Sequence, residues 1–252
     1  MSSPLTALII GVSYTSTAAN IGLSIARSLQ RSGYRVAIVG RRLDLSKTTQ
    51  DGFLGINKDM SVPGEAQSAM DIVNEELGTP DVLVYNANHA KFASPFSIPS
   101  NEVTPYLTAC ITSFHTCVQS MINNGTAASS TRKTVFFVGN GLPKIPSARM
   151  MYFGLGKVGG AHIVEAAAQS EELQSKGFSW LRILIDCFRS EFYVGLSRFY
   201  YLDQRKQDGS YAIGPNVLSE KAHTSVIETL LAEDKQIKPY VTFTEEKGIV
   251  DF

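Results

Sequence analysis

The stretch from Leu8 to Arg42 constrains this chain more than any other. An apolar run, Ala7-Leu8-Ile9-Ile10, leads into Gly11, a polar loop from Val12 to Asn20, a helix opening at Ile21-Gly22, and a second apolar run ending in Gly40-Arg41-Arg42. A strand that feeds a glycine-punctuated loop and then an amphipathic helix aims backbone N–H groups and a helix N-terminus at one place, which suits a phosphate. The loop departs from the compact G-x-G-x-x-G spacing: Gly11 and Gly22 stand eleven residues apart, with Asn20 where a middle glycine would be. Asn tolerates left-handed backbone better than most residues, so the turn survives on paper. Ser13 and Tyr14, with the hydroxyls that follow them, are placed to meet a pyrophosphate, and Asn20 and Ile21 to bring the helix end to it. An ordinary βα turn would read the same way.

The helix from Ile21 ends at Gly33, a residue suited to a C′ position, and the second strand follows. A cofactor with a free ribose 2′-hydroxyl is usually held there by an acid, whereas a 2′-phosphate needs cations, best forked ones. Gly40, Arg41 and Arg42 are followed by no acid before Asp44, which favours NADP(H) over NAD(H). The competing reading is a solvated arginine pair.

Apolar runs of strand length recur at Ala7–Ile10, Val36–Val39, Val82–Tyr85, Val135–Val138, Leu181–Ile185 and Tyr240–Phe243, separated by segments of helical spacing. Runs without polar alternation suit strands buried on both faces, so the pattern predicts an α/β fold with a parallel sheet covered by helices on both sides. No repeat or linker divides the chain, and residues 1–252 read as a single domain. Lys plus Arg and Asp plus Glu both total 23, so nothing recommends nucleic acid as a partner. The N-terminal residues lack the pattern of a signal or membrane segment, and a cytoplasmic location is expected. Cys110, Cys117 and Cys187 lack metal-ligand spacing, and no metal site is expected.

Further along, the residues resemble the short-chain dehydrogenase/reductase family. Asp59-Met60 looks like the family's adenine-contacting pair, and Asp81-Val-Leu-Val-Tyr-Asn86-Ala87-Asn88 is similar to its D-x-L-V-x-N-A-G stretch. The resemblance implies a doubly wound Rossmann-type sheet of about seven strands. It also implies a nicotinamide cofactor contacted by Asp59, Met60, Asn86, Ala87 and Asn88, and a homodimer or homotetramer packed through two long helices.

The family's hydride-transfer site uses a Tyr as acid, a Lys four residues later and a Ser that polarises the carbonyl, usually with an Asn on the preceding helix. Lys157 matches the Lys, implying ribose contact and catalysis, but Phe153 stands where the Tyr would be. Tyr152 is one residue early, about 140° from Lys157 around the helix where Phe153 is about 40° away, so it serves as acid only with altered winding; otherwise it packs. Asn140 takes the place of the Ser, either as an amide donor to a substrate oxygen or as a turn residue between Gly139 and Gly141. Cys110 stands for the helix Asn. His89 follows the Asn86–Asn88 segment and has the right proton affinity to supply an acid, the alternative being a loop histidine bonded to backbone.

An iminium ion already carries the charge that hydride quenches, so a site without the Tyr suits imines. Some fungal alkaloid-pathway members of the family resemble this pattern of losses. The aromatic segment Phe188–Tyr201 lies where the family forms a substrate lid, here about residues 188–215, and suits a hydrophobic ligand; burial against the sheet or a subunit is the other option. The expected protein is an NADPH-dependent reductase of an imine, enone or carbonyl in secondary metabolism. The alternative is a non-redox cyclase, a pericyclase or a cofactor-binding pseudoenzyme on the same scaffold.

Overall fold

In β1 (Thr6–Ile10) every residue is buried, with Leu8 and Ile10 on one face of the sheet and Ala7 and Ile9 on the other. A strand apolar on both faces has to be covered twice, and this dictates the layers. The computed structural model describes residues 4–13, 20–88, 92–125, 133–170, 173, 197–210, 219–233 and 237–251. The other strands are β2 (Arg35–Gly40), β3 (Leu54–Asn57), β4 (Val82–Tyr85), β5 (Lys133–Val138), β6 (Ser197–Gln204), β7 (Tyr240–Thr244) and β8 (Gly248–Ile249). They form one sheet in the order β3-β2-β1-β4-β5-β6-β7-β8, parallel throughout except for β8, which runs antiparallel along β7.

Helices α1 (Ile21–Arg31) and, near the C-terminus, α7 (Glu220–Ala232) pack on the face that carries Ala7 and Ile9. The opposite face is covered by α3 (Glu65–Glu76), α5 (Ser113–Asn124) and α6 (Met151–Ala167). Two further helices, α2 (Leu45–Gln50) and α4 (Ser100–Leu107), lie in the connections. The doubly wound parallel fold read from the sequence is the one formed, with eight strands rather than seven. No described helix is long and apolar enough to cross a membrane.

Local signals explain the ends of α1. Gly33, at φ +88°, donates to Gln30 O, and Tyr34 donates to Leu29 O, so two final carbonyls are satisfied by a Schellman turn that a left-handed glycine permits. Helices α1 and α7 then meet through rungs four residues apart: Asn20 with Glu220, Ser24 with Thr224, and Ser28 with Glu228. At the amino ends of the central strands, buried Asp81 accepts the Thr6 N–H at 2.8 Å and the Lys133 ammonium at 2.9 Å, tying β1, β4 and β5 together.

One expectation is corrected. The segment 188–215 was read as a lid, yet Ser197–Gln204 is an interior strand between β5 and β7. Tyr200 and Tyr201 are fully buried, stacked on Phe136 and Phe137 of β5. Aromatic residues in alternation fit a pleated, two-sided surface, and that preference prevails here. The run Leu181–Ile185 and the remaining parts of that segment, 188–196 and 211–215, lie outside the described residues.

His223 on α7 is 1% exposed; its Nδ1–H donates to Ser219 O at 2.8 Å and its ring meets Phe243 edge-on. Burial lowers its pKa to about 4, so the unfolded chain binds more protons than the folded one between there and its ordinary value near 6.5. Stability should therefore fall as pH drops through that window, by about 2–3 kcal/mol from this group. Urea midpoints measured from pH 7 to 4.5 should show the loss, and His223→Gln should flatten it.

Candidate active site

The strand order reverses beside β1: β2 and β3 lie on one side, β4 onward on the other, and the carboxyl ends open a crevice there. A cleft of about 380 Å³ occupies it. Its walls are Gly11 to Ser13 after β1, Val39, Arg41 and Arg42 at the end of β2, Lys58 to Ser61 after β3, and Asn86 to Asn88 after β4, with Ala109. Gly11 has φ +91°, and a Cβ on it would fall 2.5 Å from Ala87 N. A Cβ on Gly40 would lie 2.2 Å from Val12 O. Side chains at these two positions would collide with neighbouring backbone, so the close approach of the strand ends requires glycine. Asn86 holds the same junction from the other side, its Nδ2 donating to Gly11 O at 3.0 Å.

Gly11, Ser13, Arg41, Arg42, Asp59, Met60, Asn86, Ala87 and Asn88, chosen from the sequence, are thus brought to one cleft. Val12, Val39, Lys58, Ser61 and Ala109 join them unforeseen. Of these, only Lys58 carried a usable signal, a cation adjoining Asp59. The Asp59 carboxylate accepts from both the N–H and the hydroxyl of Ser61, at 2.9 and 2.7 Å, which shapes the turn after β3. Tyr14 and His89 lie outside the described residues.

Asn20 and Ile21 do not line this cleft. Asn20 has φ −104°, not the left-handed conformation expected, because its side chain caps α1 by accepting the Leu23 N–H at 3.2 Å. Its own N–H is taken by Glu220.

Four rings form a ladder across the strands that follow. Tyr85, Phe137, Tyr201 and Tyr240 occupy matching positions on β4, β5, β6 and β7 and stack in sequence at 5.8, 5.6 and 4.9 Å between centroids. The polar tips of this ladder meet the loops. Tyr85 donates to Ala109 O in the π-helical turn Thr108–Thr112 that carries Cys110. The Tyr201 hydroxyl accepts the Asn140 N–H at 3.0 Å and donates to Asn140 O at 2.9 Å. Tyr240 reaches Asp203 Oδ2 at 3.2 Å, and Lys144 lies 4.0 Å over its ring. Gly139 is obligatory here: a Cβ would sit 1.9 Å from Tyr201 Cζ. Asp203, wholly buried, also accepts from Arg205 at 2.8 Å; burial raises its pKa while the guanidinium opposes the rise.

Asn140 is therefore held through its backbone, and its Oδ1 accepts the Leu142 N–H at 3.0 Å. These bonds agree with the turn-forming reading of Asn140. Lys157 is 3% exposed, donates to Val138 O at 2.8 Å and lies 5.0 Å over Phe137 and 5.3 Å over Phe153. Its ammonium does not line the cleft, and burial lowers its pKa, with the Cys110 thiol acting in the opposite sense. Tyr152 is buried against Tyr106 and Ile98, and its hydroxyl accepts the Ile98 N–H at 3.1 Å. The regular winding of α6 keeps it on the face away from Lys157, so the packing reading applies and the acid reading does not. Gly156 lets α6 close on Cys110, since a Cβ would meet Cys110 Cβ at 2.5 Å.

This geometry agrees with what the chain resembles. The short chain dehydrogenase family model matches residues 10–179, and the chain belongs to that family. It is 28% identical, over its full length and 96% of the relative, to the short chain dehydrogenase/reductase dmxR12 of Cryptosporiopsis sp. (strain 8999). Solved structures share the fold, among them the following two. A metagenomic short-chain oxidoreductase in complex with NADP superposes with TM-score 0.72 at 18% identity, covering 95% of this chain and 96% of the other. A short chain dehydrogenase from Burkholderia cenocepacia J2315 in complex with NADP gives 0.69 at 17% identity, covering 97% of each chain.

Tyr201→Phe keeps the ring stack but leaves the Asn140 N–H without its partner. It should cost about 1–2 kcal/mol in denaturant midpoints, and Tyr201→Ala about 3–5 kcal/mol.

Proposed function

We propose that this protein is an NADPH-dependent reductase with an atypical active site. Its substrate is a hydrophobic small molecule, an imine or iminium, an enone or a carbonyl, of secondary metabolism. The observation that carries the reading is the cleft at the strand reversal, floored by Gly11 and Gly40 and walled on the β2 side by Arg41, Arg42 and Lys58. Glycines at the strand ends let backbone approach a pyrophosphate, and three cations at one wall suit a 2′-phosphate better than a ribose hydroxyl. Asp44, the first acid after β2, is engaged in capping α2, its carboxylate accepting the Lys47 N–H. Two similar solved structures are complexes with NADP, which supports the same choice. NADPH would contribute hydride to an acceptor carbon; the protein's part is to hold and orient both molecules.

An apolar hollow of about 270 Å³ supports the hydrophobic substrate. Leu142, two residues past Asn140, lines it with Pro95, Met150, Met151, Leu155 and Val158. A carbonyl substrate would meet the Asn140 amide as its polarising donor. An imine substrate agrees better with the side chains present, because reducing an iminium develops no alkoxide that needs a proton.

One observation favours the second reading, a non-redox cyclase, pericyclase or pseudoenzyme. The Tyr152 hydroxyl and the Lys157 ammonium, the nearest matches to the family's proton donors, are both turned onto backbone groups. Under either reading we place the protein in the cytoplasm as a homodimer or homotetramer.

Saturating NADPH should raise the melting temperature by about 5–10 °C, and no shift with NADPH would overturn both readings that need the cofactor. Loss of NADPH absorbance with a panel of imines, enones and ketones is the expected result for the reductase. Product formed with no NADPH consumed would establish the cyclase instead.

A further inference from the structure

The two arginines at the end of β2 are held from below by a residue on the next strand. Asn57, the last residue of β3, clamps Leu43 with both ends of its amide: Oδ1 accepts the Leu43 N–H at 2.7 Å and Nδ2 donates to Leu43 O at 3.1 Å. On the near side of the turn, Lys58 N–H donates to Gly40 O at 3.1 Å. Gly40 is itself wedged, a Cβ there meeting Val12 O at 2.2 Å and Leu43 Cδ2 at 2.8 Å. The turn is thus pinned at residues 40 and 43, and the two residues between, Arg41 and Arg42, are exposed at the cleft. Neither arginine is in an ion pair among the described residues, so both guanidiniums are available to an anion.

Lys58 adds a third cation to the same wall. Its ammonium is held at 3.1 Å by Glu65, the first residue of α3, with both side chains partly buried. The pair restrains the ammonium of a residue that lines the cleft. A single carboxylate leaves two of its three N–H donors for another acceptor.

We propose that Lys58 and Asn57 decide the preference for a 2′-phosphorylated adenosine: Lys58 as a third cation on the phosphate, Asn57 as the positioning residue that aims Arg41 and Arg42. The inference rests on the NADPH reading above, and its test separates the two. Dissociation constants of 2′,5′-ADP, 5′-AMP, NADPH and NADH are measured by calorimetry on the full chain. In the unmutated protein 2′,5′-ADP should bind tighter than 5′-AMP by about tenfold or more. Lys58→Met should narrow that ratio about fivefold while leaving 5′-AMP and NADH unchanged. Asn57→Leu should narrow it to a similar degree, and Asn57→Ser serves if the Leu variant does not fold.

A purely structural Asn57 would weaken phosphorylated and unphosphorylated ligands alike, and that outcome overturns its role. If Arg41→Ala abolishes the preference and Lys58→Met leaves it intact, the role of Lys58 is overturned and the NADPH reading stands. If the unmutated protein shows no preference, the NADPH reading falls and this inference with it.

Discussion

Stacking of four aromatic rings across four parallel strands is the constraint on which the surroundings of Asn140 and Lys157 depend. Tyr85, Phe137, Tyr201 and Tyr240 share one face of the sheet because parallel register places them side by side, and flat faces at about 5–6 Å are favoured there. Each ring then does a second task at its edge. Tyr85 anchors the π-helical turn, Phe137 lies under the Lys157 ammonium, and Tyr201 and Tyr240 reach the Asn140 loop. Core packing and loop geometry are thus one structure, and an altered ring would be felt at the site.

The same ladder sets the surroundings of Lys157. Lys157 is enclosed by Phe137, Phe153 and Cys110 and bonded to a β5 carbonyl, an environment that lowers its pKa and keeps it from the cleft. With a Phe at position 153 no hydroxyl competes for that ammonium. By contrast, the cleft at the strand reversal is polar and open, with Arg41 and Arg42 exposed on a turn whose two ends are fixed. Exposed cations line the cleft at the strand reversal, whereas apolar groups surround Lys157.

Much of the fold was legible because its signals are local. Strands β1, β2, β4, β5 and β7 announced themselves as apolar runs, and α1 by its periodicity and its terminal Gly33. β3 was not in that set, since Gly55 interrupts a short run to make room for Thr48, whose Oγ1 would lie 2.2 Å from a Cβ there. Between lid and burial against the sheet, the aromatic residues of β6 left the choice open, because they suit either when only their type is known. Glycines and cations at strand ends follow chain order, so most of the described residues that line the cleft could be named from the sequence.

The sequence by itself determined a doubly wound sheet, the glycine-lined crevice at its reversal, and the cationic end of β2, because burial on both faces and charge at a strand end are written in consecutive residues. Only the tertiary structure decided that Tyr201 and Tyr240 hold Asn140, that Asn57 clamps the arginine turn, that Lys157 turns to Val138, and that Asn20 caps a helix. Each of these is a contact between residues distant in the chain, or a choice among hydrogen-bond partners, and register and packing make that choice after the strands have assembled.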